Sequence, residues 1–295
     1  MPPTRPSRRR SSSRSTRPRV RKRFGQHFLS PTWALKVIRA IDPKPGDVFL
    51  EIGPGTGALT LPLADTGAPV LAVEIDRDLV ARLSEHVPPN VTLLTADVLD
   101  VDLVAYLSGM APQTPPAGSG AFARRHRVVG NLPYNVATPI LLKLIDIARG
   151  QDFFSDAVVM IQREVADRLL ARPGTKAYGA LTVLAAVHTR ITKLLDVPPG
   201  AFSPAPKVRS SVIRLEFGAP AVRIADEALF HRLVRALFSA RRKTLSNALK
   251  RFDVTGPAVL ALSGIDGRRR PETLQVTEIA RLVRIFASAR GPAML

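Results

Sequence analysis

The segment DVFLEIGPGTGALT (residues 47–60) combines a short apolar run, a glycine-rich turn and the start of a helical pattern. Nearly continuous Val, Leu and Ile are typical of parallel strands that are buried on both faces. Gly53, Gly55 and Gly57 follow at once, and glycines at a strand-to-helix turn let the backbone approach a ligand closely. The spacing G-x-G-x-G is neither the dinucleotide fingerprint nor a P-loop. The segment therefore predicts a ligand-binding turn without a pyrophosphate; a purely structural tight turn is the alternative.

Similar apolar runs recur along the chain and alternate with helical patterns. The further predicted strands cover residues 69–75, 91–97, 126–132, 157–162 and 210–217. Helical spacing is found at residues 57–67 and 77–87, and again at 226–252 and 276–289. Strands that alternate with helices predict an α/β fold with a doubly wound, Rossmann-like sheet. The absence of strand patterns beyond about residue 220 predicts a small C-terminal helical domain.

Composition shifts divide the chain further. Residues 1–20 are Arg, Ser and Pro with almost no apolar side chains, which predicts a disordered basic arm; an organellar transit peptide is the alternative. We expect a ligand-binding domain over 21–218 and a helical domain over 219–295. Residues 108–126 are rich in Pro, Gly and Ser and predict a surface loop before the fourth strand.

The charge of the chain favours a polyanionic partner. The 295 residues carry a net charge of +19, of which ten charges lie in the acid-free residues 1–23. The remainder is basic in its own right, which is typical of nucleic-acid binding. The chain has no cysteine and five scattered histidines, so we expect neither disulfides nor a metal site. No apolar run approaches the roughly 20 residues that span a bilayer, and we expect no membrane partner.

Two acidic residues stand at corresponding strand ends. Glu74 closes the second strand and Asp97 closes the third. A carboxylate at the first position suits ribose hydroxyls, and one at the second can accept from an adenine amino group. Together they indicate a nucleoside without a diphosphate, and S-adenosylmethionine fits that description. The alternatives are a nicotinamide dehydrogenase, or two carboxylates that cap the following helices.

The fourth strand ends in Asn-Leu-Pro-Tyr, residues 131–134. Asn131 offers an amide acceptor, the backbone around Pro133 a second acceptor, and Tyr134 a flat ring. These groups suit a flipped-out or unpaired base with an exocyclic amine. Two acceptors bound to the N–H groups of that amine would direct its lone pair at the methyl group of S-adenosylmethionine. A simple strand-ending turn is the alternative.

The motifs, taken together and in order, resemble the ribosomal RNA adenine N6-dimethyltransferases, and most closely their small-subunit (16S) branch. The resemblance runs from about Lys22 to the C-terminal helices. It is carried by RKRFGQHFLS, LEIGPGTGALT, VEID, ADVL, GNLPYNVATPIL, IQREVADRL, YGALTVL, VPPGAFSPAPKVRSSVIRL and FSARRKTLSNALK.

The resemblance implies a class I methyltransferase fold and a role for each matching residue. The implied contacts of the S-adenosylmethionine cofactor are Gln26, His27, Leu29, Gly53, Gly55, Gly57, Glu74, Ile75, Asp97, Val98 and Asn131. The implied catalytic pocket for the target base consists of Asn131, Leu132, Pro133, Tyr134 and Phe202. The implied RNA contacts are Arg241, Arg242 and Lys243.

The implied reaction is the dimethylation of two adjacent adenosines near the 3′ end of small-subunit (16S) rRNA. The resemblance also implies a cytoplasmic monomer that acts on a partly assembled subunit. Leu132 and the segment FSARRKTLSNAL favour the small-subunit enzyme. The alternatives are a large-subunit (23S) methylase that confers macrolide resistance and a non-catalytic nucleic-acid-binding relative.

Overall fold

The computed structural model describes residues 26–110, 126–150, 153–218 and 222–289. The predicted basic arm and most of the predicted loop at 108–126 lie outside these residues. The strands are β1 (Phe28–Leu29), β2 (Val48–Ile52), β3 (Val70–Glu74), β4 (Val91–Thr95), β5 (His126–Asn131), β6 (Phe154–Gln162), β7 (Thr189–Val197), β8 (Phe202–Ser203) and β9 (Ser210–Phe217). The helices are α1 (Pro31–Ile41), α2 (Thr60–Ala64), α3 (Arg77–Leu83), α4 (Leu103–Ser108), α5 (Ala137–Gly150), α6 (Arg163–Leu169), α7 (Ala180–His188), α8 (Glu227–Ser239), α9 (Leu245–Phe252), α10 (Gly256–Ser263) and α11 (Val276–Ala289).

Seven strands form one sheet in the order β4-β3-β2-β5-β6-β9-β7. The five strands from β4 to β6 are parallel, as the sequence predicts. β9 runs antiparallel to β6, and β7 runs antiparallel to β9. The sequence analysis did not predict β7, because its residues TRITKLLDV are mostly half-exposed or exposed. β9 does not have the expected parallel direction. β7 precedes it in the chain and lies at the sheet edge, and the chain then turns back so that β9 lies antiparallel between β7 and β6.

The strand order reverses between β2 and β5. The chain builds β3 and β4 on one side of β2 and then places β5 on the other side. Ligands of open α/β sheets bind at the carboxyl ends of strands next to such a reversal. The two backbones approach closely here, since a Cβ atom on Gly130 would lie 2.4 Å from the carbonyl oxygen of Ile52.

Both faces of the sheet are covered by apolar side chains. Alternate residues of a strand point to opposite faces, so that Phe49 packs with Val37 of α1 while Leu50 packs with Leu141 of α5 in a separate cluster. This two-sided burial is the reason that the parallel strands appear in the sequence as continuous apolar runs.

The C-terminal helices have a hydrophobic cluster of their own. Its buried residues come from α8 to α11 and also from α7, including Val183 and Leu184. The helical pattern at 226–252 is interrupted between α8 and α9, where Thr244 caps α9 by accepting from the N–H of Asn247. The predicted domain boundary falls beside residues 219–221, outside the described residues, so the division into domains stays a prediction. In the described part of the chain, no helix is both long and apolar enough to span a bilayer.

A buried guanidinium joins the elements at the amino ends of the central strands. Arg127 of β5 is paired with Asp156 and Asp47, each at 2.7 Å. It also donates to the carbonyls of Ile41 and Asp42 at the end of α1. Every partner is an acceptor that needs a donor. The cluster therefore stabilises the amino ends of the central strands, at the end of the sheet opposite to the carboxyl ends of β2 and β5.

The close approach of β2 and β5 gives a test of the fold. The change Gly130→Ala should lower the free energy of unfolding by about 3 kcal/mol, because its neighbour is backbone that cannot rotate away. Gly200→Ala is the matched control, since no atom lies within 4 Å of its added Cβ. Urea unfolding of both variants measures the difference. Equal stability of the two variants would contradict the described packing.

Candidate active site

A cavity of about 330 Å³ lies at the carboxyl ends of β2, β3, β4 and β5. The structure brings most of the predicted site residues to its wall. These are Gln26, His27, Leu29, Gly53, Gly55, Glu74, Ile75, Asp97, Val98, Asn131, Leu132, Pro133 and Tyr134. Gly57 and Phe202 are not among the lining residues. Residues from five separate chain segments therefore share one cavity.

The glycine turn serves two purposes. Gly55 has φ 58° and donates its N–H to Oε2 of Glu74 at 3.1 Å. Gly57 has φ 85°, and a Cβ there would lie 2.6 Å from Cδ1 of Leu83 on α3. Gly57 thus permits close packing of the turn against a helix, whereas Gly55 lies at the cavity.

Glu74 is held by two backbone donors. Besides Gly55, the N–H of Asp76 donates to Oε1 at 3.0 Å. Burial raises the pKa of Glu74, while the two N–H bonds oppose the rise. The bonds fix the orientation of the carboxylate and use only part of its acceptor capacity. Asp76, not Glu74, is the N-cap of α3.

Asp97 is anchored in the loop that follows β4. Its Oδ1 accepts from the N–H of Leu99 at 2.9 Å, and α4 is capped by Asp102 instead. The alternative that Glu74 and Asp97 cap helices is therefore wrong. Nζ of Lys143 donates to the carbonyls of Leu99 and Val101 at 2.8 and 2.7 Å, which fastens this loop to α5.

The amide of Asn131 is oriented by the chain segment before α1. Its Nδ2 donates to the carbonyl of His27 at 2.9 Å, which leaves Oδ1 as an acceptor at the cavity. The side chain of Leu132 is buried, and its N–H donates to Met160. The carbonyl of Pro133 accepts from the N–H of Val136, whereas that of Leu132 accepts no hydrogen bond from the described residues.

Tyr134 is held at its ring and at its hydroxyl. The ring stacks on His27 with centroids 5.7 Å apart and planes at 28°. Its Oη is 2.6 Å from Oγ of Ser210. Burial raises the pKa of Tyr134, so the phenol is neutral at physiological pH. His27 is held in turn by Pro204, whose carbonyl lies 2.8 Å from Nδ1.

Phe202 lies next to this group but inside the protein. It pairs with Leu29 across the short sheet of β1 and β8, and both side chains belong to one buried cluster. Its exposed fraction is 6%. The predicted second aromatic wall is thus packed behind the cavity in this conformation, and its contact with a base stays a prediction.

The three predicted RNA contacts lie between α8 and α9. Arg241 donates to the carbonyl of Thr175 at 3.1 Å, and its Nε is 3.9 Å from Glu272. Arg242 and Lys243 are exposed. Arg241 therefore also joins the turn to the rest of the fold, and its two neighbours face solvent.

Sequence reasoning missed Glu51 on the cavity wall. Its exposed fraction is 1%, and its Oε2 has no hydrogen-bond partner among the described residues. Burial raises the pKa of Glu51 to about 7; the hydroxyl of Thr60 opposes the rise, and the charge of Glu74 adds to it. The available signal was a single acidic residue inside the otherwise apolar run of β2.

The raised pKa of Glu51 gives a test by pH. Between about pH 4.5 and pH 7 the unfolded chain releases this proton while the folded chain keeps it, so stability falls as the pH rises. Relative to Glu51→Gln, the wild-type protein should lose about 3 kcal/mol of unfolding free energy over this window. Urea titrations at several pH values measure the loss. The exposed Glu85→Gln is the control, and a pH-independent difference for Glu51→Gln would contradict the burial.

The chain is similar to known proteins over most of its length. The family model described as ribosomal RNA adenine dimethylase matches residues 17–288. Ribosomal RNA small subunit methyltransferase A of Aromatoleum aromaticum is 42% identical over 282 residues, which cover 94% of this chain and 97% of the relative. The protein of the same name from Geobacter sulfurreducens is also 42% identical over 282 residues, with 92% and 97% covered.

Solved structures share the fold. A dimethyladenosine transferase from Plasmodium falciparum superposes with a TM-score of 0.65 at 24% identity, covering 89% of this chain and 98% of that one. The 23S rRNA methyltransferase ErmE superposes with a TM-score of 0.58 at 24% identity, covering 88% and 98%. These likenesses confirm the predicted α/β architecture. The match over most of the chain, together with the relatives at 42% identity, shows that the protein belongs to the ribosomal RNA adenine dimethylase family.

Proposed function

We propose that the protein transfers methyl groups from S-adenosylmethionine to N6 of two adjacent adenosines near the 3′ end of small-subunit (16S) rRNA. The observation that carries the proposal is the amide of Asn131, whose Nδ2 is held by His27 so that Oδ1 remains an acceptor beside Glu74 and Asp97. Family membership supplies the reaction class. It excludes the dehydrogenase alternative, because the family transfers methyl groups and not hydride.

The cavity residues fit S-adenosylmethionine. Glu74 has acceptor capacity left for two ribose hydroxyls, and Oδ2 of Asp97 makes no hydrogen bond to the described residues and suits an adenine amino group. The exposed side chain of Ile75 offers an apolar surface beside them for the adenine ring. The unpartnered Oε2 of Glu51 suits the positive charge of the methionine portion.

The chain's own groups explain how a poor nucleophile is made reactive. The bound cofactor supplies a methyl group on a positively charged sulfur. In the first transfer, Oδ1 of Asn131 and the carbonyl of Leu132 accept the two N–H groups of the adenine amine, which draws its lone pair out of the ring; in the second transfer one N–H remains for these acceptors. Tyr134 stacks on the base and fixes its plane. Positioning and electrostatics then supply most of the rate. The amine proton becomes acidic once the methyl group has been transferred and is lost to water, so no strong general base is needed.

The exposed Arg242 and Lys243 contact rRNA phosphates in this proposal, and Arg241 holds their turn in place through Thr175. The high positive charge of the chain supports a polyanionic substrate. We further propose that the protein acts as a cytoplasmic monomer on a partly assembled small subunit, where the 3′ end of the rRNA is still accessible.

The substrate assignment is tested by methyl transfer to ribosomal subunits from a strain that lacks this modification. Tritiated S-adenosylmethionine is incubated with small and with large subunits, and the labelled nucleosides are separated. We expect dimethyladenosine in the small subunit alone. Label in the large subunit would identify the 23S methylase instead, and no label in either would favour the non-catalytic nucleic-acid-binding relative.

Two variants separate the roles of target and cofactor residues. Asn131→Ala should lower turnover by at least about a hundredfold, because it removes an acceptor used in the transition state. Its affinity for the rRNA substrate should change little. Glu74→Ala should instead weaken cofactor binding, which calorimetry measures. Normal methylation by Asn131→Ala would refute the catalytic assignment, and an unchanged cofactor affinity of Glu74→Ala would refute the ribose assignment.

A further inference from the structure

Ser210 is a buried hydroxyl at the start of β9 that reaches the target side of the cavity. Its exposed fraction is 0%, and its Oγ lies 2.6 Å from Oη of Tyr134. The backbone at Ser210 pairs with Gln162 of β6 on one side and with Val197 of β7 on the other. Strands on both sides thus fix the position of the Ser210 hydroxyl.

Tyr134 needs two restraints because its side chain has two soft torsions. A bond to the phenolic oxygen anchors the far end of the ring and so fixes χ1. It restrains χ2 only weakly, since the C–O bond lies along the axis of ring rotation. The stack on His27 limits that rotation, and His27 is itself held by Pro204. Ser210 and His27 therefore restrain complementary motions of one ring.

We infer that Ser210 is a positioning residue for methyl transfer: its hydroxyl holds the ring of Tyr134 in the place where the target adenine stacks. This inference rests on the proposed function, in which Tyr134 contacts the base. A ring that is already fixed spares the complex the cost of ordering it when the flipped base enters. Ser210 touches neither the base nor the cofactor and acts only through Tyr134.

The chain offers a matched control in the next residue. Ser211 is also on β9 with an exposed fraction of 0%, but its Oγ donates to Asp196 at 3.2 Å. Ser210→Ala and Ser211→Ala therefore remove the same group from the same strand at the same burial, and only the first removes the contact with Tyr134.

The first measurement is a double-mutant cycle on unmethylated small subunits. Ser210→Ala and Tyr134→Phe should each lower kcat/KM for the subunit about threefold to tenfold, the usual effect of one lost hydrogen bond. The double variant should be no slower than the slower single variant. Cofactor affinity by calorimetry should stay unchanged in all three. Losses that multiply in the double variant, or a Ser210→Ala loss no larger than that of Ser211→Ala, would overturn the inference.

The second measurement needs no turnover. The chain has three tyrosines, so labelling with 3-fluorotyrosine gives three ¹⁹F resonances, and Tyr134→Phe identifies that of Tyr134. Ser210→Ala should shift this resonance and raise the phenol pKa further, because the hydroxyl of Ser210 counteracts the effect of burial. Ser211→Ala should leave it unchanged. An unshifted resonance in Ser210→Ala overturns the positioning role, whereas a wild-type protein that methylates neither subunit refutes the proposed function independently.

Discussion

The close approach of β2 and β5 is the constraint on which both the sheet and the cavity depend. Gly130 can lie against the carbonyl of Ile52 only because it has no side chain, and this contact occurs where the strand order reverses. One strand then continues into the glycine turn at Gly53 and the other ends at Asn131. The glycine turn and the Asn-Leu-Pro-Tyr motif meet because the two backbones do. A substitution that separates the strands would therefore affect stability and chemistry together.

The two ends of the central strands differ in whether their polar groups have hydrogen-bond partners. At the amino ends, Arg127 is fully occupied by carboxylates and carbonyls, and the result is a closed cluster that stabilises the fold. At the carboxyl ends, acceptors are left over: Oε2 of Glu51 and Oδ1 of Asn131 have no internal donor in the described residues. Oε2 of Glu51 is buried, and a buried acceptor without a donor costs free energy. In the proposed function, a cationic ligand in the cavity offsets that cost.

The sequence predicts those features that depend on local pattern. Apolar runs locate the parallel strands, and the residues that follow them, Glu74 and Asn131 among them, lie at the cavity because parallel strands end at one edge. Features set by distant contacts escape prediction. β7 is missed because its edge position leaves it polar, and Gly57 is placed against Leu83 by packing that no spacing reveals. The sequence marks Glu51 only as an acidic residue within an apolar strand, and no sequence pattern indicates the contact of Ser210 with Tyr134.

The target side of the cavity is assembled entirely by contacts between remote segments. Asn131 is oriented by His27, His27 is held by Pro204, and Tyr134 is held by Ser210. None of these pairs is closer than 76 residues in sequence. These contacts require β1, β5, β8 and β9 to be in place together. In the proposed reaction, activation of the weakly nucleophilic amine depends on the position of the acceptors and not on their basicity, and these contacts are what fix that position.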